Sequence, residues 1–320
     1  MLKPAYKIQI GSETFEPSAH SPVVSLQVNL DLDIPTDSSE ILFGVNNKTT
    51  KIKKEDNASI QLGYEDNLTD VFKGAVDNVE PEISGIRITG LNFVSKLLGL
   101  RTNQVYENQS AGDIVSDLSG KAGVTTGDVS SGLKFPVYYV EDSKNAYEHI
   151  RDLAEKCGFD VYMTTDSKLM FKKYERNEPR VLEYGKNIIE VTLQEERSMV
   201  ASVIVQGESP SSFKGSDTSH WLTKRRVEGL AGSGANILIE DPTVRDKDTA
   251  EKVAKSRLDT LTRTLFGTVK VIGDSEIKLG DTIEIKGMPN SKINGEFQVR
   301  SVEHFLSKTT GFTTLIGWRK

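Results

Sequence analysis

The stretch from Lys278 to Trp318 constrains the fold more than any other part of the chain, because its turn residues and alternation describe a small antiparallel β unit. Leu279-Gly280-Asp281 makes a turn into an alternating strand, Asn294-Gly295 is the dipeptide favoured where both turn residues need positive φ, and Gly311 opens the final strand. The unit has a partner near the other end. Sliding the sequence on itself without gaps places Ile60, Leu62, Val76, Val79 and Glu80 over Ile283, Ile285, Val299, Val302 and Glu303. Val-x-x-Val-Glu therefore recurs at the same distance from an alternating strand, and each copy runs into a Gly-led strand, Gly85-Ile86-Arg87-Ile88 and Gly311-Phe312-Thr313-Thr314. Such an echo implies two related β modules, one near each end. Two unrelated hairpins of alternating Val and Ile are the plainer alternative.

The chain divides accordingly into a first β module over 1–100, an α+β insert over 101–178, and a second β module over 179–320 with a helix at about 246–262. In the first, Leu26, Val28, Leu30 and Leu32 face one way while Ser25, Gln27, Asn29 and Asp31 face the other, which fits a sheet with one wet face. Lys48 to Asn57 reads as an exposed, solvated loop. In the insert, Ser110 followed by Asp113 resembles a capped helix start. A second helix places Ala146, Ile150, Leu153, Ala154 and Cys157 at helical spacing, with Ser143 as the cap and Gly158 as the left-handed end. His149 is expected on that helix's surface, so that His149→Ala costs little. Phe159–Met163 and Leu169–Tyr174 form a hairpin. In the second module Ile188–Leu193 and Val200–Gln206 read as strands, and Ala250, Val253, Ala254, Leu258 and Leu261 share one helix face.

The Ser- and Gly-rich segment from Ser209 to Gly234 reads as a mobile loop that orders on assembly, with Trp221 and Phe213 as its partner-facing anchors. Gly229, Gly232 and Gly234 lie at the end of it. They resemble a phosphate loop only superficially, since no strand leads directly into them and no helix follows, and they read as a flexible turn.

Composition removes several function classes. A formal net charge of -6 with interspersed signs gives no basic face for nucleic acid. The N-terminus lacks the apolar run of a signal peptide, and no segment reaches the roughly eighteen apolar residues of a membrane span, so synthesis in the bacterial cytoplasm without a membrane anchor is expected. The single cysteine, Cys157, excludes an internal disulfide. His20, His149, His220 and His304 show no metal-ligand spacing, and there is no G-x-S-x-G. No catalytic, metal or cofactor site is expected.

The order and spacing of Phe72–Glu80, Ile86–Leu91, Asn108–Val115, Asn145–Phe159, Lys168–Phe171, a helix near Ala250, and Gly280–Gly287 with Val302-Glu303-His304 resembles the late control D family, the baseplate hubs of contractile phage tails, which are similar to the N-terminal half of type VI secretion spike proteins. The resemblance runs from about Tyr6 to Trp318 and rests on many weak motifs in order. It implies an α+β, mostly β fold: two antiparallel tail-tube-like β-barrel modules flanking a small α+β insert. It also implies a non-enzymatic homotrimeric adaptor between a sixfold tail tube protein and a separate threefold spike protein, with baseplate wedge and tape-measure proteins as further partners. DNA or cargo passes only through its lumen, and the assembled site is a virion or injection-particle baseplate. The chain ends just after the second module, so a separately encoded spike is the expectation. A tail-associated peptidoglycan hydrolase or a cell-wall-binding module is the competing reading, centred on the insert.

Overall fold

The computed structural model describes residues 3–65, 67–208 and 227–320. The first module comprises β1 (Pro4–Ile10), β2 (Glu13–Phe15), β3 (Val23–Asp31), β4 (Ser38–Phe43), β5 (Asn57–Tyr64), β6 (Asn67–Glu82) and β7 (Gly85–Leu91). An α+β segment follows, with α1 (Ser95–Gly99), β8 (Gln104–Ser110), α2 (Ala111–Lys121), β9 (Thr126–Val129), β10 (Lys134–Val140), α3 (Ala146–Cys157), β11 (Asp160–Met163) and β12 (Leu169–Lys172). The remainder holds β13 (Arg180–Glu183), β14 (Ile188–Glu195), β15 (Ser202–Gly207), β16 (Glu228–Gly232), β17 (Asn236–Asp241), α4 (Lys247–Leu261), β18 (Leu265–Ile272), β19 (Thr282–Lys286), β20 (Gly295–Ser307) and β21 (Gly311–Arg319).

The fold is mostly β and mostly antiparallel. One large sheet runs β14-β18-β21-β20-β3-β4-β7-β6-β5-β1-β2, with β19 also on β20 and β13 on β19. Among the described residues this hydrogen-bonded path is open at β14 and β2. Alternation builds it: in β21 Phe312, Thr314, Ile316 and Trp318 are buried and the residues between them are not, and in β3 Leu26, Val28 and Leu30 are buried between half-exposed polar residues. A single apolar cluster underlies both ends of the chain, from Tyr6 and Ile8 through Phe72 to Phe297 and Trp318. Gly267 of β18 lies directly across from Trp318, and a Cβ there would meet the Trp318 ring at 2.6 Å and the Thr192 carbonyl oxygen at 2.2 Å. That glycine makes room for the indole that stacks on Phe297, with ring centroids 4.2 Å apart.

The insert has its own core of Leu97, Ile114, Val115, Leu118, Phe135, Ile150, Leu153 and Phe171. The Ser110–Asp113 capping box starts α2 as expected. At α3 the cap is Asn145, not Ser143: Asn145 accepts from the Glu148 backbone N–H while Glu148 returns the bond, and a capping box outcompetes an isolated serine two residues upstream. Gly158 ends the helix at φ 69°. His149 is not on the surface. It is 4% exposed, its Nε2 lies 3.1 Å from the Glu141 carbonyl oxygen, and its ring packs edge-on against Tyr138.

The later part of the chain also departs from expectation. Val203 and Val205 belong to a separate three-stranded sheet, β16-β15-β17, which packs with Val253 and Ala254 of α4 in a third core instead of joining the large sheet. Gly229 and Gly232 lie within β16, so they are not a free turn, although Gly232 and Gly234 do take positive φ (80° and 114°). Within the expected mobile loop, residues 209–226, including Phe213 and Trp221, lie outside the described residues. Leu261 is exposed at the end of α4, and the Lys48–Asn57 loop is anchored by buried Thr49 and Ile52.

Two substitutions test this packing. Gly267→Ala should destabilise by about 1–3 kcal/mol through overpacking against Trp318, whereas Gly99→Ala, where a Cβ meets nothing within 4 Å, should not. His149→Ala should cost about 2 kcal/mol, since it empties a buried, hydrogen-bonded site. Urea unfolding curves measure each.

Candidate assembly interface

The two β modules of one chain meet strand to strand. β3 and β20 pair antiparallel over seven residues, from Ser301 opposite Asp31 to Ser307 opposite Ser25, with Val302 against Leu30 and Leu306 against Leu26 on the buried face. Just before this ladder a register shift between Val299 and Ser301 displaces Arg300. Its guanidinium donates to Asp33 (2.5 Å) beyond β3 and to Asp160 (2.6 Å) of β11, while its carbonyl oxygen accepts from the Leu32 N–H (2.9 Å). Gln298 adds a second bond to Asp160 (2.6 Å). One side chain, 12% exposed, thus links the first module, the second module and the insert.

Six strands of the second module follow the same order as six of the first. The order β3-β4-β7-β6-β5-β1 is matched by β14-β18-β21-β20-β19-β13, although β1 meets β5 antiparallel while β13 meets β19 parallel, and β2 has no counterpart. A lateral row Val79, Ile88, Ile41, Leu26 across the first has the same path as Val302, Ile316, Val269, Val191 across the second. Irregularities coincide as well. The shift at Val299/Ser301 matches one at Val76/Asn78, and the shift at Val23/Ser25 matches one at Ile188/Glu190.

The sequence-singled positions fall on this frame. Ile60 and Ile283 are fully buried in β5 and β19, and Val76 and Val299 are buried in β6 and β20. Val302 is buried while Val79 is only half-buried, and Glu303 is half-buried while Glu80 is exposed. The asymmetry has a structural cause: β3 covers the distal half of β20, and no described strand covers the corresponding half of β6. Ile83, the counterpart of the buried Leu306, is wholly exposed at the end of that edge. The outer edge of β14, counterpart of β3, is likewise unpaired among the described residues. Sequence reasoning missed Arg300, Ile83 and the β14 edge; an isoleucine beside the β6–β7 turn was the one visible signal.

Chemistry elsewhere is sparse. Among the described residues no cluster of three His, Cys, Asp or Glu has metal-holding geometry. Burial pushes the Cys157 thiol up to about 11, which keeps it protonated at neutral pH, and its sulfur accepts from the Leu133 N–H (3.3 Å). Two buried groups flank the junction. Burial holds His304, whose Nδ1 lies 3.0 Å from Thr314 Oγ1, down at about 3. Burial likewise raises Asp37 to about 7, although its carboxyl accepts from the Asp31 N–H (3.0 Å) and from Asn92 Nδ2 (2.6 Å).

No family model matches the sequence, and no curated protein matches it either. Solved structures do. The 43 kDa tail protein of prophage MuSo2 from Shewanella oneidensis superposes with a TM-score of 0.74 at 13% identity, covering 99% of this chain and 98% of that one. A tail protein from Neisseria meningitidis MC58 gives 0.75 at 12% identity, covering 99% and 97%. This chain has the fold of phage tail proteins. The same tail-protein fold extends to the Escherichia coli c3393 protein, a type VI secretion component described as similar to the T4 tail proteins gp27 and gp5, with a TM-score of 0.61 at 10% identity over 97% of this chain and 76% of that one.

His304 and Asp37 set opposing pH dependences. His304 binds a proton in the unfolded chain below its ordinary 6.5 but in the fold only near 3, so its contribution is present above 6.5 and lost as pH falls. Asp37 keeps its proton in the fold to about 7 but releases it near 3.8 when unfolded, so its contribution is present below 3.8 and lost as pH rises. The two offset each other over the shared window. Asp37→Asn should therefore steepen the loss of stability between pH 7 and about 4 relative to wild type, whatever its absolute cost; matched denaturation midpoints across that range read the slope.

Proposed function

We propose that this protein is the structural hub of a contractile tail or related injection machine, a homotrimer whose six β modules form a ring joining a sixfold tail tube to a threefold central spike. The observation that carries the reading is the β3–β20 junction. A chain that already joins two modules of like topology edge to edge leaves, among the described residues, a β14-type edge and a β6-type edge unpaired. Three copies can satisfy those edges by repeating the in-chain junction between chains, which closes a ring with near-sixfold character.

The register follows from the duplicated frame. Leu306 pairs with Leu26 in the chain, so Ile83 of one copy pairs with Val191 of the next, Glu82 with Thr192 and Glu80 with Gln194. Ile83 is then covered as Leu306 is. Pro81 stands where β20 has His304, and it leaves the inter-chain ladder one donor short. The polar face carrying Gln27, Asn29 and Asp31, opposite the apolar core, lines the lumen and lets DNA or cargo pass without adhering. Tube, spike, wedge and tape-measure proteins are the partners in this reading, with synthesis in the bacterial cytoplasm and assembly into a virion or injection particle. No described helix is long and apolar enough to cross a membrane.

Cysteine pairing tests the ring. Ile83→Cys with Val191→Cys should oxidise to a covalent species of three 35.3 kDa chains, whereas the misregistered pair Pro81→Cys with Val191→Cys should cross-link far less. Exclusively monomeric product from both pairs, with native mass spectrometry showing one chain, would remove the proposal.

A further inference from the structure

A second surface lies away from the strand edges and does not depend on ring closure. The insert, α4 and the second β module enclose a cleft of about 680 Å³, within the size range of ligand pockets. Nine cations and four carboxylates line it, a local excess of positive charge in a chain whose net charge is -6. Three of those carboxylates are already engaged: Asp33 and Asp160 hold Arg300, and Glu155 holds Arg257 and Arg151.

The cation side is in surplus. Lys156 is committed to Asp152 (2.7 Å) and Asp241 (3.0 Å), and Lys252 to Asp248 (2.6 Å). Arg319, Arg263, Lys255 and Lys173 make no ion pair or side-chain hydrogen bond among the described residues. Arg319 is half-buried at the end of β21. Burial pulls its pKa below the usual arginine range, and the neighbouring Arg300 and Arg263 pull it the same way. A partly desolvated guanidinium beside two others is an unfavourable arrangement that an arriving anion relieves.

We propose that this cleft binds a short acidic peptide segment of a partner protein, whose carboxylates neutralise Arg319 and Arg263. The walls favour a peptide. Leu32, Leu133, Tyr147 and Val161 supply apolar surface for its side chains, and the volume exceeds what a lone oxyanion fills. The charge distribution disfavours a nucleic acid, because outside the cleft this acidic chain carries a net negative charge that repels a long polyanion.

Fluorescence anisotropy of labelled hexaglutamate with the full chain, at about 0.15 M salt, is the test. Wild type should bind, and Arg319→Gln or Arg263→Gln should each weaken binding about tenfold, while Lys54→Gln, exposed and far from the cleft in the first module, should leave it unchanged. The Arg319→Gln melting temperature should equal or exceed that of wild type, since the substitution removes a half-buried cation without an acceptor, and this separates lost binding from lost folding. Absence of binding by wild type overturns the proposal, as does binding indifferent to both substitutions. Labelled hexathymidylate binding more tightly than hexaglutamate would assign the cleft to nucleic acid, and displacement of the peptide by equimolar inorganic phosphate would reduce it to an oxyanion site; either result also overturns it.

Discussion

The seven-residue ladder between β3 and β20 is the contact on which the rest of the architecture depends. Without it the chain would be two half-sheets, each with a raw edge and half a core. With it, strands from opposite ends of the sequence share one apolar cluster, and Leu26 and Leu306 are both buried on the same face. The contact is also costly to find. Strands so distant in sequence must close a long loop before any ladder bond forms, which places this junction late in folding. The insert braces the junction, since Asp160 of β11 accepts from both Arg300 and Gln298 of β20.

Much of this was legible locally. Period-two alternation gave β3, β5, β19 and β21, and helical spacing gave α3 and α4, because each pattern is written within a few residues. Helix starts are legible where a reciprocal capping pair stands in the sequence, as Ser110 with Asp113 at α2; at α3 the pair is Asn145 with Glu148, and the lone Ser143 two residues upstream lacks such a partner. His149 is polar by residue type yet buried by position. Its position, between Ala146 and Leu153 on the apolar stripe, already pointed inward, and Glu141 offered the backbone acceptor that makes burial tolerable. What no local pattern contains is partner choice. Val200–Gln206 alternates like any strand of the large sheet, and only β16, β17 and α4 determine that it belongs to another. The β14 edge, Ile83 and the four cations of the cleft without a partner among the described residues are likewise products of distant segments meeting.

Superposition on phage tail proteins at 12–13% identity over nearly the whole chain fits this picture. A sheet of this kind asks for an apolar residue at every second position and for space where an indole or a backbone must approach, as at Gly267, and many sequences meet those demands. Polar details are freer to vary. They therefore carry what distinguishes one such protein from another.

The paired register shifts show how the chain uses that freedom. Arg300 stands at the shift in β20, and the matching residue at the shift in β6 is Asp77. The two related strands thus present opposite signs at the same place. Asp33, which pairs with Arg300, would repel an aspartate such as Asp77 at that position, so the residue just beyond β3 favours β20 over the topologically matching β6. Arg197, one residue from the counterpart of Asp33, carries the opposite sign beside β14. In the ring proposed above, each seam is thereby keyed by charge to its own partner, which keeps a chain built from a repeat from pairing with the wrong half of its neighbour.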